Sequence, residues 1–321
     1  MYYMNTAESD SNGSLPACSD SRVSAIFAAA LRIWETRPDL QAGYGAITRP
    51  EFWIWLAWHG LDEYPDLRAA WFEVPPPYLL ERSSGSDAAP RSFQRSGAVD
   101  WRRFLQALER CGVVAERANL IELGSACGRV LRYFGRYAAT GTFTGLEIDP
   151  ESAAWCREKL SFARFLHVQP AGPSGLRAGA YDAVIVPDLF ERLVPAAQLA
   201  WIDEAARLVR PGGALVVSYF GARVVERWVG GEAPGGSPKP ETLQEELPRL
   251  REEGALYFVL PPCMSAHPEN VDWARHEDAS QLGVTFLTRE FIERAWTRSF
   301  ELLEILEAPD GWQDYAILRR R

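Results

Sequence analysis

The chain has 321 residues, 47% of them hydrophobic and 24% charged, a composition that excludes wholesale disorder and leaves room for about two domains. Its 34 basic and 43 acidic residues give a formal charge of -9, which opposes non-specific attraction to a phosphate backbone or an anionic membrane and argues against nucleic acid as a partner. Five scattered cysteines (Cys18, Cys111, Cys127, Cys156 and Cys263) lack CxxC spacing, so neither a disulfide framework nor a zinc knuckle is expected.

Residues 1–21 are polar and Ser-rich and read as a flexible tail, with Glu8, Asp10 and Asp20 where a signal peptide would be apolar. The apolar run at 25–31 is too short to span a bilayer. A cytoplasmic protein without a membrane span is the expectation. Residues 22–115 read as an N-terminal helical region, with helical spacing of apolar residues at 23–34 and 51–58. Phe52, Trp53, Trp55 and Trp58 crowd the second stretch. They suit the core of a small helical module, or flat rings lining a substrate cleft. Residues 81–96 and 230–240 are rich in Ser, Gly and Pro and read as loops. Asp100 precedes Trp101, Phe104, Leu105 and Leu108 at helical spacing, the pattern of an N-cap before an amphipathic helix.

From Asn119 onward short β-rich runs alternate with helices, the signature of a parallel sheet with crossover helices. Strands are expected at 120–123, 143–148, 163–168, 183–186 and 214–219, and helices at 130–137, 151–160, 196–208 and 222–228. Two further strands, 300–306 and 312–318, flank a turn containing Pro309-Asp310-Gly311 and predict a terminal antiparallel hairpin. The fold class is therefore α/β: a Rossmann-like doubly wound seven-stranded sheet ending in the hairpin, with the N-terminal helical region and an insertion after the fifth strand. Its segments are a tail (1–21), a helical region (22–115), a cofactor-binding domain (116–228 with 288–321) and an insertion (229–287).

Open parallel sheets bind ligands at the carboxyl ends of their strands. After the first strand the chain reads Glu122-Leu123-Gly124-Ser125-Ala126-Cys127-Gly128-Arg129, where Gly124 permits a tight turn and Gly128 a close approach of backbone amides to a polar ligand. Ala126 fits this turn only with an ordinary backbone conformation. Glu147 ends the second strand, placed to accept hydrogen bonds from both hydroxyls of a ribose. A nucleoside cofactor with a free 2'-hydroxyl follows. The loop lacks the GxGxxG spacing that presses backbone onto a pyrophosphate, which disfavours NAD.

These residues, with Tyr181-Asp182 opening the fourth strand, Arg210-Pro211-Gly212-Gly213 before the fifth and Gln313-Asp314 in the hairpin, resemble the class I S-adenosylmethionine-dependent methyltransferase family. The resemblance implies S-adenosyl-L-methionine as cofactor and Glu122, Gly124, Ser125, Ala126, Gly128, Glu147, Ile148, Gln169 and Asp188 as the residues around it. Arg37-Pro38-Asp39-Leu40, with 52–56 and 60–67, resembles segments found beside bacterial glycan-building enzymes, which implies a small-molecule or carbohydrate acceptor methylated on oxygen; no histidines pair at one helical turn, so no metal site is expected. The chain departs from the family at Ala126, often Gly, and at Arg192, often His, so a conventional base is missing there. His267 and His276, in the insertion beside Glu269, Asp272 and Glu277, are the candidate bases. Two other readings stay open: a methyltransferase-like domain that binds or assembles without turnover, and a nicotinamide oxidoreductase.

Overall fold

A computed structural model describes residues 20–84, 89–170, 173–233, 237–259, 283–307 and 312–321. The candidate bases His267 and His276 lie outside the described residues. The chain divides into two compact units, one ending at Phe72 and one running from Glu73 to Arg321.

The first unit is helical. Helix α1 (Ser21–Thr36) begins at Asp20, whose carboxylate accepts the backbone N–H of Arg22 and Val23 at 2.9 and 3.0 Å and so satisfies two amides that the helix leaves free. Helices α2 (Pro38–Tyr44), α3 (Pro50–Trp55) and α5 (Pro65–Ala70) each start on proline, which loses no hydrogen bond in a first turn. A single wide π-helical turn, Leu56–Gly60, joins α3 to the short α4 (Leu61–Glu63). Of the crowded rings, Phe52 and Trp53 are buried, packed edge-on by Trp34 and Phe27 at 5.0 Å, whereas Trp55 is half-buried and Trp58 exposed.

The second unit holds helices α6 (Pro77–Ser84) and α7 (Pro90–Arg110) and then the sheet. Residues 81–96, expected as a loop, contain the end of α6 and the first turns of α7; Pro90 starts α7, and its polar opening turns hid it. Asp100 is therefore an interior helix residue and not an N-cap. The strands are β1 (Asn119–Leu123), β2 (Thr142–Glu147), β3 (Arg164–His167), β4 (Tyr181–Val186), β5 (Val209–Tyr219), β6 (Ala255–Val259), β7 (Gly283–Leu287), β8 (Phe300–Leu306) and β9 (Asp314–Arg320).

Seven of them form one sheet in the order β3-β2-β1-β4-β5-β9-β8, parallel from β3 to β5, with β9 antiparallel to both its neighbours. This is the expected doubly wound sheet with a terminal hairpin. Crossover helices α8 (Pro150–Lys159) and α9 (Pro195–Leu208) follow β2 and β4. Where an α-helix was expected after β1, a tight 3-10 helix, Leu131–Tyr137, forms with every residue buried. One apolar core gathers Ile121, Val184, Val217, Trp201, Leu208 and Trp296. At about 25 cal/mol per Å² of apolar area removed from water, burial on this scale dominates the stability of the unit.

Strands β6 and β7 form a separate two-stranded antiparallel ladder from Ala255↔Leu287 to Val259↔Gly283, and β7 is bridged to Phe220, just beyond β5. With α10 (Ala222–Arg227) and α11 (Pro240–Glu253) they enclose a second apolar cluster built on Trp228, Leu243, Leu250 and Phe286. Helix α12 (Arg289–Ala295) leads from β7 to the hairpin. Among the described residues, no helix is long and apolar enough to cross a membrane, and none of their His, Cys, Asp and Glu side chains cluster as metal ligands.

Candidate active site

The sheet reverses its winding between β1 and β4, and ligands of such sheets sit in the crevice outside the carboxyl ends of those two strands. The loop after β1 turns sharply there. Gly124 and Gly128 take φ of +72° and +67°, and Ser125 N–H and Gly124 N–H both donate to Leu146 O, at 3.0 and 2.9 Å, tying the loop to β2. Ala126 also has positive φ, +42°. That corrects the expectation of an ordinary backbone: the methyl group is accommodated at a left-handed residue, at a cost of about 1–2 kcal/mol. From behind, α7 meets the loop so closely that a β-carbon on Gly97 would lie 2.2 Å from Arg129 O.

Glu147, at the end of β2, is buried and faces this loop. Its Oε2 accepts the N–H of Ala126 at 2.5 Å and its Oε1 the N–H of Asp149 at 2.8 Å. Burial raises its pKa to about 7 against the pull of those two amides. The Ile148 N–H adds a weaker pull, and with about four lone-pair sites the carboxylate can still accept a further donor. Asp149 caps α8, accepting from Glu151 N–H and Ser152 N–H, and pairs with Arg82 of α6 at 3.3 Å. Ile148, between the two acids, packs on the sheet core. Gln169 is exposed just beyond β3.

Two buried polar side chains under the loop each leave one atom without a hydrogen-bond partner among the described residues. Glu122, within β1, leaves Oε2 unpaired and is pushed up to about 8 by burial, and Ser125 leaves its hydroxyl unpaired.

Across the crevice, the turn after β4 carries Asp188 in a left-handed conformation, φ +51°. Its N–H donates to Ser218 Oγ of β5 at 2.9 Å, and its carboxylate accepts from Arg129 and from the Gln313 amide. Arg129 reaches back to Asp100 of α7 as well, at 2.5 Å, and burial, which works against its charge, is outweighed by Asp188 and Asp100. Asp100 also holds Arg103 at 3.0 Å; burial raises its pKa even so. A chain of ionic hydrogen bonds thus spans the strand ends from α7 through the β1 loop to the β4 turn.

The loop, Glu147 and Asp188, expected from sequence, come together at the carboxyl ends of β1, β2 and β4. Not expected here are Asp100, Arg129, Glu191 and Gln313, whose partners lie 29 to 125 residues away in the chain. Asp182 accepts Asn119 N–H at 2.8 Å and pairs with Arg210 at 2.7 Å at the opposite end of the sheet. Arg192 is exposed, as are His59 and His167.

A doubly wound sheet with a glycine turn after its first strand and a buried carboxylate ending its second is the arrangement in which open α/β sheets hold nucleotide cofactors. The family whose model matches residues 121–215 is described as a methyltransferase domain. That stretch runs from β1 into β5 and contains the glycine turn, Glu147 and Asp188. Among solved structures the chain is similar to the PH0226 protein of Pyrococcus horikoshii OT3, at 12% identity over 72% of this chain and 95% of that one, TM-score 0.48. It is also similar to a SAM-dependent methyltransferase of Methanosarcina mazei (14% identity, 64% and 93% covered, TM-score 0.44) and to the glycopeptide N-methyltransferase MtfA (14%, 70% and 90%, 0.45).

Proposed function

We propose that the domain transfers a methyl group from S-adenosylmethionine to an oxygen of a small molecule or carbohydrate. The observation that carries this reading is the facing pair formed by the 124–129 loop and Glu147 at the winding reversal, inside the stretch that matches the methyltransferase family. Glu147 keeps acceptor capacity for a ribose hydroxyl, the buried Ser125 hydroxyl is unpaired among the described residues, and Gly124 and Gly128 take the positive φ that the tight turn beside them requires. The bound cofactor supplies an electrophilic methyl group. The residues present supply alignment and charge, and orientation alone is worth up to about 7–11 kcal/mol in favourable cases.

Acceptor choice falls, in this reading, to the N-terminal helical region (22–115) and the insertion (229–287). The acidic balance argues against a nucleic-acid acceptor. His267 and His276 remain the candidate bases, and the scattered cysteines, of which Cys111, Cys127 and Cys156 are free, suit a cytoplasmic setting. A domain that binds without turnover is the competing reading, favoured by the left-handed Ala126 and by Arg192.

Calorimetry with S-adenosylmethionine and with NAD tests the cofactor. Binding of the first alone is expected, and binding of NAD alone overturns the proposal. Transfer of a labelled methyl group to members of a sugar and small-molecule panel then separates turnover from silent binding.

A further inference from the structure

The turn that follows β4 is held more firmly than a connecting loop requires. The buried amide of Gln198 donates to Phe190 O and Leu193 O at 2.7 and 3.1 Å, and Thr285 Oγ1 of β7 donates to Leu193 O at 2.6 Å. Trp296 packs edge-on against Phe190 at 5.4 Å. What this clamp fixes is Glu191. Its side chain is 3% exposed; Oε1 accepts from Gln313 at 3.0 Å, and Oε2 is buried with no partner among the described residues. A buried carboxyl with an idle oxygen is costly, and such groups persist where a ligand or a reaction uses them.

Charge around it is out of balance. From its own turn Glu191 meets Asp188 and the exposed Arg192; from the β1 loop comes Arg129, already shared between Asp188 and Asp100. From α7 come Asp100 and Arg103; β1 contributes Glu122, and β9 Tyr315, whose hydroxyl lies on Asp100. Gln313, Ser218 and Thr285 are uncharged, and Asp314 turns to Gly221 and Tyr219. Arg129 is held by Asp188 and Asp100, Arg103 by Asp100, and Arg192 is exposed, so among the described residues Glu191 has no buried cation paired with it. Burial, and next Asp188, push the Glu191 carboxyl up to about 8. A ligand that brings a fixed cation relieves this. In the crevice at the winding reversal the nucleoside belongs on the Glu147 side, which sets the remainder of the cofactor, sulfur included, toward the β4 turn.

We propose that Glu191 faces the sulfonium of S-adenosylmethionine, loses a proton to solvent when the donor binds, and thereby distinguishes the charged donor from the neutral thioether it leaves behind. This rests on the reading that the domain binds S-adenosylmethionine. Once the methyl group has left, the sulfur is uncharged, and the Glu191 carboxylate takes up one proton, the same number that an O–H acceptor releases on methylation. The donor therefore binds against a carboxylate, and the product leaves a neutral acid.

The test is the ratio of affinities for S-adenosylmethionine and S-adenosylhomocysteine from pH 6 to 9, by calorimetry on the full chain. The amino-acid ends of the two ligands are alike, so their titration cancels in the ratio. A cation at contact range strongly favours the ionised carboxylate, so the preference for the donor should rise by about tenfold up to pH 8 and then level off. Glu191→Gln should abolish the rise, and Glu122→Gln should retain it. In wild-type protein, paired titrations in buffers of different ionisation enthalpy should show more proton release with the donor than with the product near pH 7, a measurement that needs no variant to fold. A flat ratio with both ligands bound overturns the proposal, as does a rise that survives Glu191→Gln or disappears in Glu122→Gln instead. Failure of both ligands to bind at any pH overturns the cofactor reading itself.

Discussion

Arg129 is the residue on which the strand-end network turns, and its removal should be felt in stability before anything else. Arg129→Leu keeps the aliphatic bulk and deletes a guanidinium whose side chain is 13% exposed and which donates to Asp100 at 2.5 Å, to Asp188 and to Ser96 at 3.2 Å. Breaking a buried ion pair from one side costs about 3–5 kcal/mol, because the orphaned charge stays out of water. Here the lower end applies. Asp100 keeps Arg103, and Asp188, 35% exposed in its side chain, keeps Gln313 and regains water. A loss of about 3 kcal/mol at pH 8 is the expectation. The loss should shrink toward pH 5, because burial already raises the Asp100 pKa and its carboxyl can discharge itself by taking a proton. Urea unfolding of the unit from Glu73 onward measures this, with an unchanged slope showing that the unfolded state is unaltered. Adding Asp100→Asn should return about 1–2 kcal/mol of the loss, since both buried charges are then gone. A loss under about 1 kcal/mol, or a double variant no better than the sum of the singles, refutes the network.

Three more expectations follow from the same loop. Ala126→Gly relieves a left-handed residue worth about 1–2 kcal/mol and returns about 0.4–1 kcal/mol in unfolded-chain freedom, so melting should rise by a degree or more; a lower melting temperature contradicts the strain. Glu147→Ala should weaken S-adenosylmethionine binding by about 1.5–3 kcal/mol, the worth of hydrogen bonds to a charged group, and an unchanged Kd in a folded variant rejects its role. The pH dependence of stability has a definite sign. Glu122, Glu147 and Glu191, raised to about 8, 7 and 8, hold protons more tightly folded than unfolded, so their contribution is greatest below about pH 4.5 and is lost as pH rises through 7 to 8. Thermal melts of the free protein should fall from pH 6 to pH 8.5; a rise across that window rules out the three buried acids as described.

The sheet was legible because β1, β4 and the 214–219 part of β5 are short, mostly apolar runs bounded by turn residues, and the hairpin strand Phe300–Leu306 falls where it was read, whereas β5 starts five residues earlier, in its Arg-Pro-Gly-Gly stretch. The insertion was not. Strands β6 and β7 are five residues each and pair across residues 260–282, so nothing local announces their partnership, and α11 is rich in charge and contains Pro248. Asp100 was misread because an acid before an apolar periodic run has the signature of a cap, while the polar turns ahead of it, starting at Pro90, resemble a loop. Within the site, Gly124, Gly128 and Glu147 announce themselves by position next to strands. Arg129, Glu191 and Gln313 do not, because their function depends on partners that only the closed sheet supplies.

Gln313 sits immediately before β9, and β9 lies between β5 and β8, pairing Ala214 with Arg319 and Tyr219 with Asp314. Strands so far apart in the chain must find each other late, after the loop-closure entropy of the intervening segment has been met, and until then β5 presents an open apolar edge. The hairpin can form on its own, but only its docking delivers the amide that holds both Asp188 and Glu191. Completion of the fold and completion of the site are therefore a single kinetic event. A molecule arrested before the hairpin docks would be aggregation-prone and without its clamp on the β4 turn, so recovery of cofactor binding during refolding should follow the slowest phase of sheet assembly.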